Sequence, residues 1–372
     1  MSEYQYYEFL AVDEPLDDQQ QAELRELSTR ADITATKFVN EYHFGSFRGN
    51  PATMVERYFD AFLYTANWRT HQLMLRIPER LLDLAVAERY CCGDDVSVRR
   101  HGDNLILDLR SEIEEGEWTE SDETRLGELI PIRADLAGGD HRALYLVWLL
   151  AAETDLDLDE LEPPVPPGLA TLNGPLRTLA EFLRIDENLL AVAAQASGQA
   201  DEVDADLAAF VKALPQKDKD ALLVRTVTGD PHVAAEVKQL FRRQHTDAPE
   251  TGTRTVGDLL DAAETRQAER QRQAARLAAE ERERRKRAQA AARERRLDEV
   301  AAAGDDAWRQ VDSLIETKRP DNYDAAVALL SDLKSVSART GEQQKFAKRY
   351  EQLRDAHRRK PSLQERFTRA GL

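Results

Sequence analysis

Two groups of side chains carry the chemistry that this sequence offers. The first is an aromatic and polar block in which Glu41, His43 and Arg48 lie within FVNEYHFGSFRGNP, followed by Trp68 and His71. A carboxylate, an imidazole and a guanidinium near the end of a strand are typical of binding sites and acid–base sites. The block indicates either a small binding or catalytic pocket, or an ordinary strand end with a hydrogen-bonded histidine and a glycine turn.

The second group is a run of cations in a segment rich in Ala, Arg, Gln and Glu. Residues 266–296 contain twelve Lys or Arg and five Glu, a net charge of +7. Such a segment contacts nucleic-acid phosphates, docks on an acidic partner or forms an ion-paired spacer helix. It lacks aromatic residues for base stacking and an apolar face for a membrane. Its densest part is Arg282, Arg284, Arg285, Lys286 and Arg287.

The charge elsewhere is strongly negative. Residues 103–162 contain four Arg, no Lys and eighteen acidic residues, a net charge of −14, and the whole chain carries −18. This balance disfavours general coating of nucleic acid but leaves local binding by the basic segment open. The acidic run from Glu112 to Glu123, which contains Trp118, is either a solvated loop or a surface for a basic partner.

No motif for catalysis, a cofactor or a metal is present. The sequence contains no GxxxxGK[ST], GxGxxG, GxSxG, HExxH or CxxC pattern, so we predict no catalytic residue, no cofactor and no metal site. The histidines lie far apart, and the acidic runs lack the spacing of a calcium loop. Cys91 and Cys92 are adjacent, which disfavours a disulfide and predicts two reduced thiols.

Periodicity predicts an α+β protein with an N-terminal mixed α/β domain, residues 1–154, of about five strands. Aromatic and β-branched residues favour strands at 4–12, 34–44 and 71–77, and Gly102-Asp103-Asn104 favours a hairpin between 96–101 and 105–109. Asn50 and Pro51 are a favoured helix start. The predicted helices of this domain cover 15–29, 51–66, 78–90, 119–130 and 142–153.

The rest of the chain is helical in pattern. An acidic, proline-rich, solvated linker at 155–168 leads to a small helical domain at 169–244, and a second linker covers 245–254. A helix-turn-helix-like pair at 176–197 has no Lys or Arg in its second helix, which favours packing over DNA recognition. A long solvated helix of about 70 Å follows at 255–302, and a helical hairpin covers 303–372.

The predicted long helix is stabilised by the helix propensity of its residues and by ion pairs, and not by packing of an apolar stripe. Its residues are good helix formers, and pairs such as Glu280–Arg284, Glu281–Arg285 and Glu283–Arg287 are spaced for ion pairing. It lacks a clean heptad repeat, so the sequence favours a coiled coil only weakly. A solitary helix, a coiled coil and a helix folded back on the acidic region all stay open.

Two segments resemble known proteins. The opening block, YYEFLAVDEPL through LSTRADITATKFVNEYHFGSFRGNP to MVERYFDAFLYTANW and LMLRIP, resembles a set of uncharacterised bacterial proteins and implies no activity. The end of the chain, from NYDAA through HRRKPSL to RAGL, resembles the tail of some bacterial SWIM-type zinc-finger proteins. The zinc-binding CxC motif of that family is missing, so the resemblance implies a shared kind of contact and not zinc or nucleic-acid binding.

Three hypotheses follow, in order of preference. The first is a non-enzymatic cytoplasmic scaffold or adaptor with a protein partner. The second is a nucleic-acid-associated protein that uses residues 266–296. The third is a small-molecule-binding or catalytic head around the Glu41–His71 block. We expect no signal peptide and no membrane contact, because no basic start precedes an apolar run and no apolar stretch approaches ~20 residues; nothing indicates the oligomeric state.

Overall fold

The computed structural model describes residues 3–45, 47–112, 124–198, 203–245 and 252–372. The chain forms two compact units, Met1–Glu269 and Arg270–Leu372. The two predicted interdomain linkers, 155–168 and 245–254, both lie inside the first unit. The segment 155–168 is also not solvated throughout, since Glu162 is 1% exposed and binds Arg254. The acidic composition of this segment therefore predicted a solvated linker, although its Glu162 carboxylate is buried and paired with Arg254.

The α+β class is confirmed. The first unit contains a seven-stranded sheet with strand order β2-β3-β1-β4-β5-β7-β6, and all neighbouring strands are antiparallel. The predicted hairpin at 96–109 is confirmed as β6 and β7. The strands are β1 Gln5–Leu10, β2 Asp32–Ile33, β3 Lys37–Tyr42, β4 Ala61–Ala66, β5 Thr70–Pro78, β6 Val96–His101 and β7 Asn104–Glu112.

Two strands were not expected, and one of them corrects a helix prediction. The helix from Pro51 ends at Arg57, and residues 61–66 form β4 instead of its continuation. Phe59, Phe62 and Leu63 have helical spacing, but β4 lies between β1 and β5 and is buried on both faces. A strand that is apolar on both faces loses the alternation that identifies strands in a sequence.

Helices cover both faces of the sheet. Helices α1 Asp18–Leu27 and α2 Pro51–Arg57 pack on an aromatic core that includes Phe9, Phe38 and Phe62. The other face carries the larger core. Six helices and a 3₁₀ turn at Glu79–Leu81, where the predicted helix 78–90 is broken, cover it. These elements are α3 Leu84–Glu88, α4 Leu126–Leu129, α5 Pro131–Ala137, α6 Arg142–Thr154, α7 Gly174–Leu183 and α8 Glu187–Ala193.

Three helices and the start of the long helix complete the first unit. These helices are α9 Val203–Ala213, α10 Gln216–Val227 and α11 Val233–His245. The long helix, α12, covers Val256–Ala303 and confirms the predicted element. Its first turns contribute Val256 and Leu259 to the larger core. The predicted helix 119–130 is helical only at Leu126–Leu129 among the described residues; its start, and the acidic run around Trp118, lie outside them.

The second unit contains the rest of α12 and a helical bundle. Helices α13 Asp305–Glu316 and α14 Pro320–Thr340 form the predicted hairpin, followed by α15 Gln343–Ala356 and α16 Pro361–Arg369. Trp308, Tyr350 and Phe367 are buried in its core. Helix α16 was not predicted, and it buries Leu363 and Phe367. Across the described parts of both units, no helix has the length and apolar character that a membrane span requires.

Candidate functional site

The middle of α12 is the most exposed regular element of the described chain. Every residue from 269 to 296 is exposed, and the one large apolar side chain there, Leu277, is 58% exposed. The residues that do pack lie near the two ends of the helix, at Val256 and Leu259 and again at Leu297 and Val300. A helix that is polar on all sides relies on intrinsic propensity and on ion pairs along its surface.

The ion pairs along this surface differ from those predicted. The Glu281–Arg285 pair is confirmed, but Glu280 pairs with Arg276 at 2.9 Å and Glu283 with Lys286 at 2.9 Å. Among the described residues, Arg282, Arg284 and Arg287 have no carboxylate within ion-pair distance. Part of the predicted cluster is therefore available to an external anion.

Helical geometry sorts these charges by side. At about 100° per residue, five cations of residues 266–296 lie within a sector of about 100° that contains no acidic residue of the same range. Four of the five Glu residues in 266–296 lie on the opposite side, within about 60° of each other. We call the five cations the basic stripe; it is about 21 Å long. Its members are Arg282, Arg285, Lys286, Arg293 and Arg296.

The polar block of the first unit does not form one accessible pocket. Glu41 pairs with Tyr6, Tyr6 with Thr65 and Thr65 with His71 across four neighbouring strands. Glu41 is therefore about 14 Å from His71 along the sheet, and it is exposed whereas His71 is fully buried. His43 contacts the ring of Tyr4, with 5.5 Å between ring centroids.

The other predicted residues lie at two turns. Arg48 is exposed in the loop before α2, whereas Trp68 is 44% exposed in the turn between β4 and β5. That turn also holds Arg69, and His71 follows it at the start of β5. The structure thus brings Trp68 and His71 to one hairpin.

Sequence reasoning missed the partners of His71. The His71 ring stacks on Phe182 and contacts the carbonyl oxygen of Phe182 through Nδ1 at 2.6 Å. Arg184 Nη2 lies 3.0 Å from Nε2, and Arg184 Nη1 donates to the carbonyl of Arg69 at 2.9 Å. These partners are more than a hundred residues away in sequence, so no local pattern indicated them.

A buried ion network joins the sheet to α5. Asp60 is 1% exposed; it accepts from the backbone amides of Val12 and Asp13 and from Arg76 at 2.8 Å. Arg133 binds Asp13 and the carbonyl of Arg76. Burial alone would raise the pKa of Asp60, but the amide donors and the two guanidinium groups hold it below its ordinary value.

A second buried network holds the segment before α12. Glu162 binds Arg254 through both carboxylate oxygens, at 2.9 and 2.6 Å, and accepts from the hydroxyl of Tyr145. Burial and the Glu162 charge raise the pKa of Tyr145 well above its ordinary range. Arg254 also donates to the carbonyl of Val192 at 3.0 Å, near the end of α8. The contacts of both networks are those of structural charge pairs.

No protein-family model, curated protein or solved structure matches this chain. The resemblances drawn from the sequence stay predictions.

The two cysteines lack the surroundings of a reactive thiol. Burial raises the pKa of Cys91 to about 12 and that of Cys92 to about 11, so both thiols are protonated at neutral pH. No group of three or more His, Cys, Asp or Glu in the described residues could hold a metal ion.

A mostly apolar pocket of about 410 Å³ between α7 and α8 has Arg177 and Glu187 in its lining.

Proposed function

We propose that this protein is a non-enzymatic cytoplasmic adaptor whose exposed helix docks an acidic surface of another protein, while its α+β head engages a second macromolecule. The observation that carries the proposal is the basic stripe. Five cations on one exposed side, separated from most of the glutamates of the same helix, form a surface that is complementary to negative charge.

The position of the stripe supports docking rather than a purely structural role. Its side chains lie in a stretch where no residue is buried, and Arg282 and Arg293 have no ion-pair partner among the described residues. Surface pairs such as Lys286–Glu283 contribute little free energy, so a partner's carboxylates can replace them.

Nucleic acid is the second candidate for the same helix. The stripe is about 21 Å long, enough for several phosphates of one strand. Aromatic side chains are absent from residues 266–296, so binding would rest on phosphate contacts without base stacking. This candidate therefore requires affinity that falls steeply with salt and is indifferent to base sequence.

The test compares two triple charge reversals in the full chain. The stripe variant is Arg282→Glu, Lys286→Glu and Arg293→Glu. The matched control is Arg272→Glu, Arg276→Glu and Arg287→Glu, which lies on the glutamate side of the helix. Each variant changes the charge equally and breaks one described ion pair, Lys286–Glu283 or Arg276–Glu280. The measurement is quantitative co-purification from nuclease-treated and untreated native lysate at low and high salt.

The adaptor proposal expects a defined protein that survives nuclease, is weakened by high salt, is lost with the stripe variant and is kept by the control. Recovery of nucleic acid that disappears at high salt and with the stripe variant would replace it with the second candidate. Equal recovery of every binder by wild type and both variants would reject a docking role for the stripe.

A further inference from the structure

Two leucines at the surface of the first unit are exposed although their backbone is held in place. Leu158 is 64% and Leu161 is 57% exposed, and neither belongs to a core of this unit. The carbonyl of Leu158 accepts from the amide of Gly257 at 2.9 Å, and Leu161 forms a β-bridge with Thr255. An ordered backbone therefore presents both side chains to solvent.

The start of α12 holds this backbone by further contacts. The carbonyl of Glu160 accepts from the amide of Val256 at 2.9 Å, and the amide of Glu160 donates to the carbonyl of Asp157 at 3.0 Å within a turn. A Cβ atom at Gly257 would lie 3.1 Å from the carbonyl oxygen of Leu158. Glycine at this position thus permits the close approach of the two backbones.

The leucines alternate with carboxylates that have no cationic partner. Asp157, Asp159 and Glu160 are exposed. In the part of the chain that the structure describes, their side chains form no ion pair and accept no hydrogen bond. We call residues 157–161 the acidic leucine surface, because they combine exposed apolar area with uncompensated negative charge.

Neighbouring carboxylates extend this negative charge on two sides. Burial and the charge of Glu160 raise the pKa of Cys92, and burial and the charge of Asp155 raise that of Asp95. These shifts are those expected where negative charge is not balanced by nearby cations. The segment before β6 and the end of α6 therefore add to the negative potential beside Glu160.

The first turns of α12 add to it from the other side. Asp261 and Glu264 follow Gly257 by four and seven residues, so they lie on the side of the helix that contacts Leu158. Both are exposed, and neither has an ion-pair partner within the described ranges.

We propose that the acidic leucine surface docks a basic amphipathic segment of a partner protein. Lysine or arginine side chains of that segment would pair with the carboxylates, and its apolar side chains would cover Leu158 and Leu161. The inference rests on the proposed adaptor function in one respect: it names the surface by which the first unit engages its second macromolecule.

The charge and the leucines together select this occupant. Nucleic acid and anionic lipid would bring negative charge to carboxylates. The basic stripe of a second copy of the chain carries the required charge, but residues 282–296 contain no large apolar side chain to cover the leucines. A segment with both cations and apolar side chains satisfies both features of the surface.

Fluorescence anisotropy of a labelled amphipathic peptide of lysine and leucine, titrated with the full chain, tests the surface. Wild type is expected to bind one peptide per chain saturably, and at least about tenfold more tightly than a lysine–serine peptide of equal charge and length. The charge variant is Asp157→Lys, Asp159→Lys and Glu160→Lys. The leucine variant is Leu158→Ser and Leu161→Ser. Each is expected to weaken binding about tenfold or more.

Each variant has a matched control. Glu3→Lys, Glu14→Lys and Glu26→Lys reverse three other exposed carboxylates of the first unit that also lack a described ion pair. Leu277→Ser removes a leucine of similar exposure, 58%, from α12. Both controls are expected to keep the wild-type affinity for the peptide within about twofold.

Three results would overturn the proposal. The first is absence of saturable peptide binding to wild type. The second is equal affinity of wild type, charge variant and leucine variant. The third is a concentration-dependent dimer in sedimentation equilibrium that the leucine variant abolishes, because a second copy would then occupy the surface.

The stripe variant separates this proposal from the adaptor proposal. It is expected to bind the peptide like wild type, so a failure of the stripe in co-purification leaves these titrations unchanged. If circular dichroism shows that the charge variant does not fold, the leucine variant carries the test, since Leu158 and Leu161 belong to no core of the first unit.

Discussion

Charged side chains are buried and multiply paired in the first unit, whereas those in the middle of α12 are exposed and have one partner or none. In the head, Asp60 and Arg133 are almost fully buried and have several partners each. In α12, Arg276 and Glu280 are paired with one another at the surface, 81% and 59% exposed. Desolvated charges are costly to leave unpaired, whereas exposed pairs exchange easily with water or a partner.

This difference explains how one chain keeps a defined fold and an available charged surface. Polar partners in the head come from distant strands and helices, so they fix tertiary geometry. Ion pairs in the middle of α12 join residues three or four apart, so they fix only local helix.

The largest effect is expected from Asp60→Ala. This change leaves Arg76 and Arg133 without their shared buried partner and should lower the free energy of unfolding by about 3–5 kcal/mol. Urea unfolding followed by tryptophan fluorescence in a Trp308→Phe background reports the first unit, because the other three tryptophans belong to it. A loss below that of Arg276→Ala would contradict the comparison.

Tyr145→Phe should have the next largest effect. It removes a hydrogen bond to the buried carboxylate of Glu162 while preserving the ring, and the expected loss is about 1.5–3 kcal/mol. The same urea experiment measures it. Tyr323→Phe is the matched control in the second unit, where no hydrogen bond of the hydroxyl is present among the described residues, and it should leave the first unit unchanged.

The pH dependence of stability should follow from Asp60. Because its folded pKa is lowered, its stabilising contribution is complete above the unfolded pKa of aspartate and is lost as the pH falls through the folded pKa. Asp60→Asn should therefore show a smaller loss of stability on acidification than wild type. Urea midpoints measured from about pH 7 to about pH 3 check this; parallel curves for the two proteins would exclude it.

A smaller effect is expected from Ala279→Gly in the middle of α12. Glycine in an exposed helix costs about 1 kcal/mol relative to alanine, and no tertiary contact compensates at this exposed position. Amide hydrogen exchange in residues 270–290 should accelerate about fivefold, with strands β4 and β5 unaffected. Exchange that stays at the wild-type rate would indicate that a tight association protects the helix.

The smallest effect is expected from Arg276→Ala. It breaks the Arg276–Glu280 pair but introduces the best helix former, so stability should change by less than about 0.5 kcal/mol. Thermal unfolding followed by circular dichroism measures it, with Arg272→Ala as the control that breaks no described ion pair. A loss as large as that of Tyr145→Phe would show that exposed pairs of α12 act like buried ones.

Much of the architecture could be predicted because its signals are local. The long helix follows from Ala, Arg, Gln and Glu in sequence, and the β6–β7 hairpin from its Gly-Asp-Asn turn. Strand β4 could not be predicted, because a strand buried on both faces lacks the alternation of apolar and polar residues. The spacing of Phe59, Phe62 and Leu63 indicated a helix instead. The basic stripe could be read in part, because helical geometry alone separates Arg282 from Arg284.

The α+β class, the long helix and its cationic surface follow from local sequence, because propensity and charge along a helix act over one or two turns. Which charges are buried together, and which residues surround His71, depends on tertiary packing. Arg69, His71 and Arg184 are joined by contacts that span more than a hundred residues. Such contacts depend on how the chain packs, and the type of a residue does not indicate which distant residue it will contact.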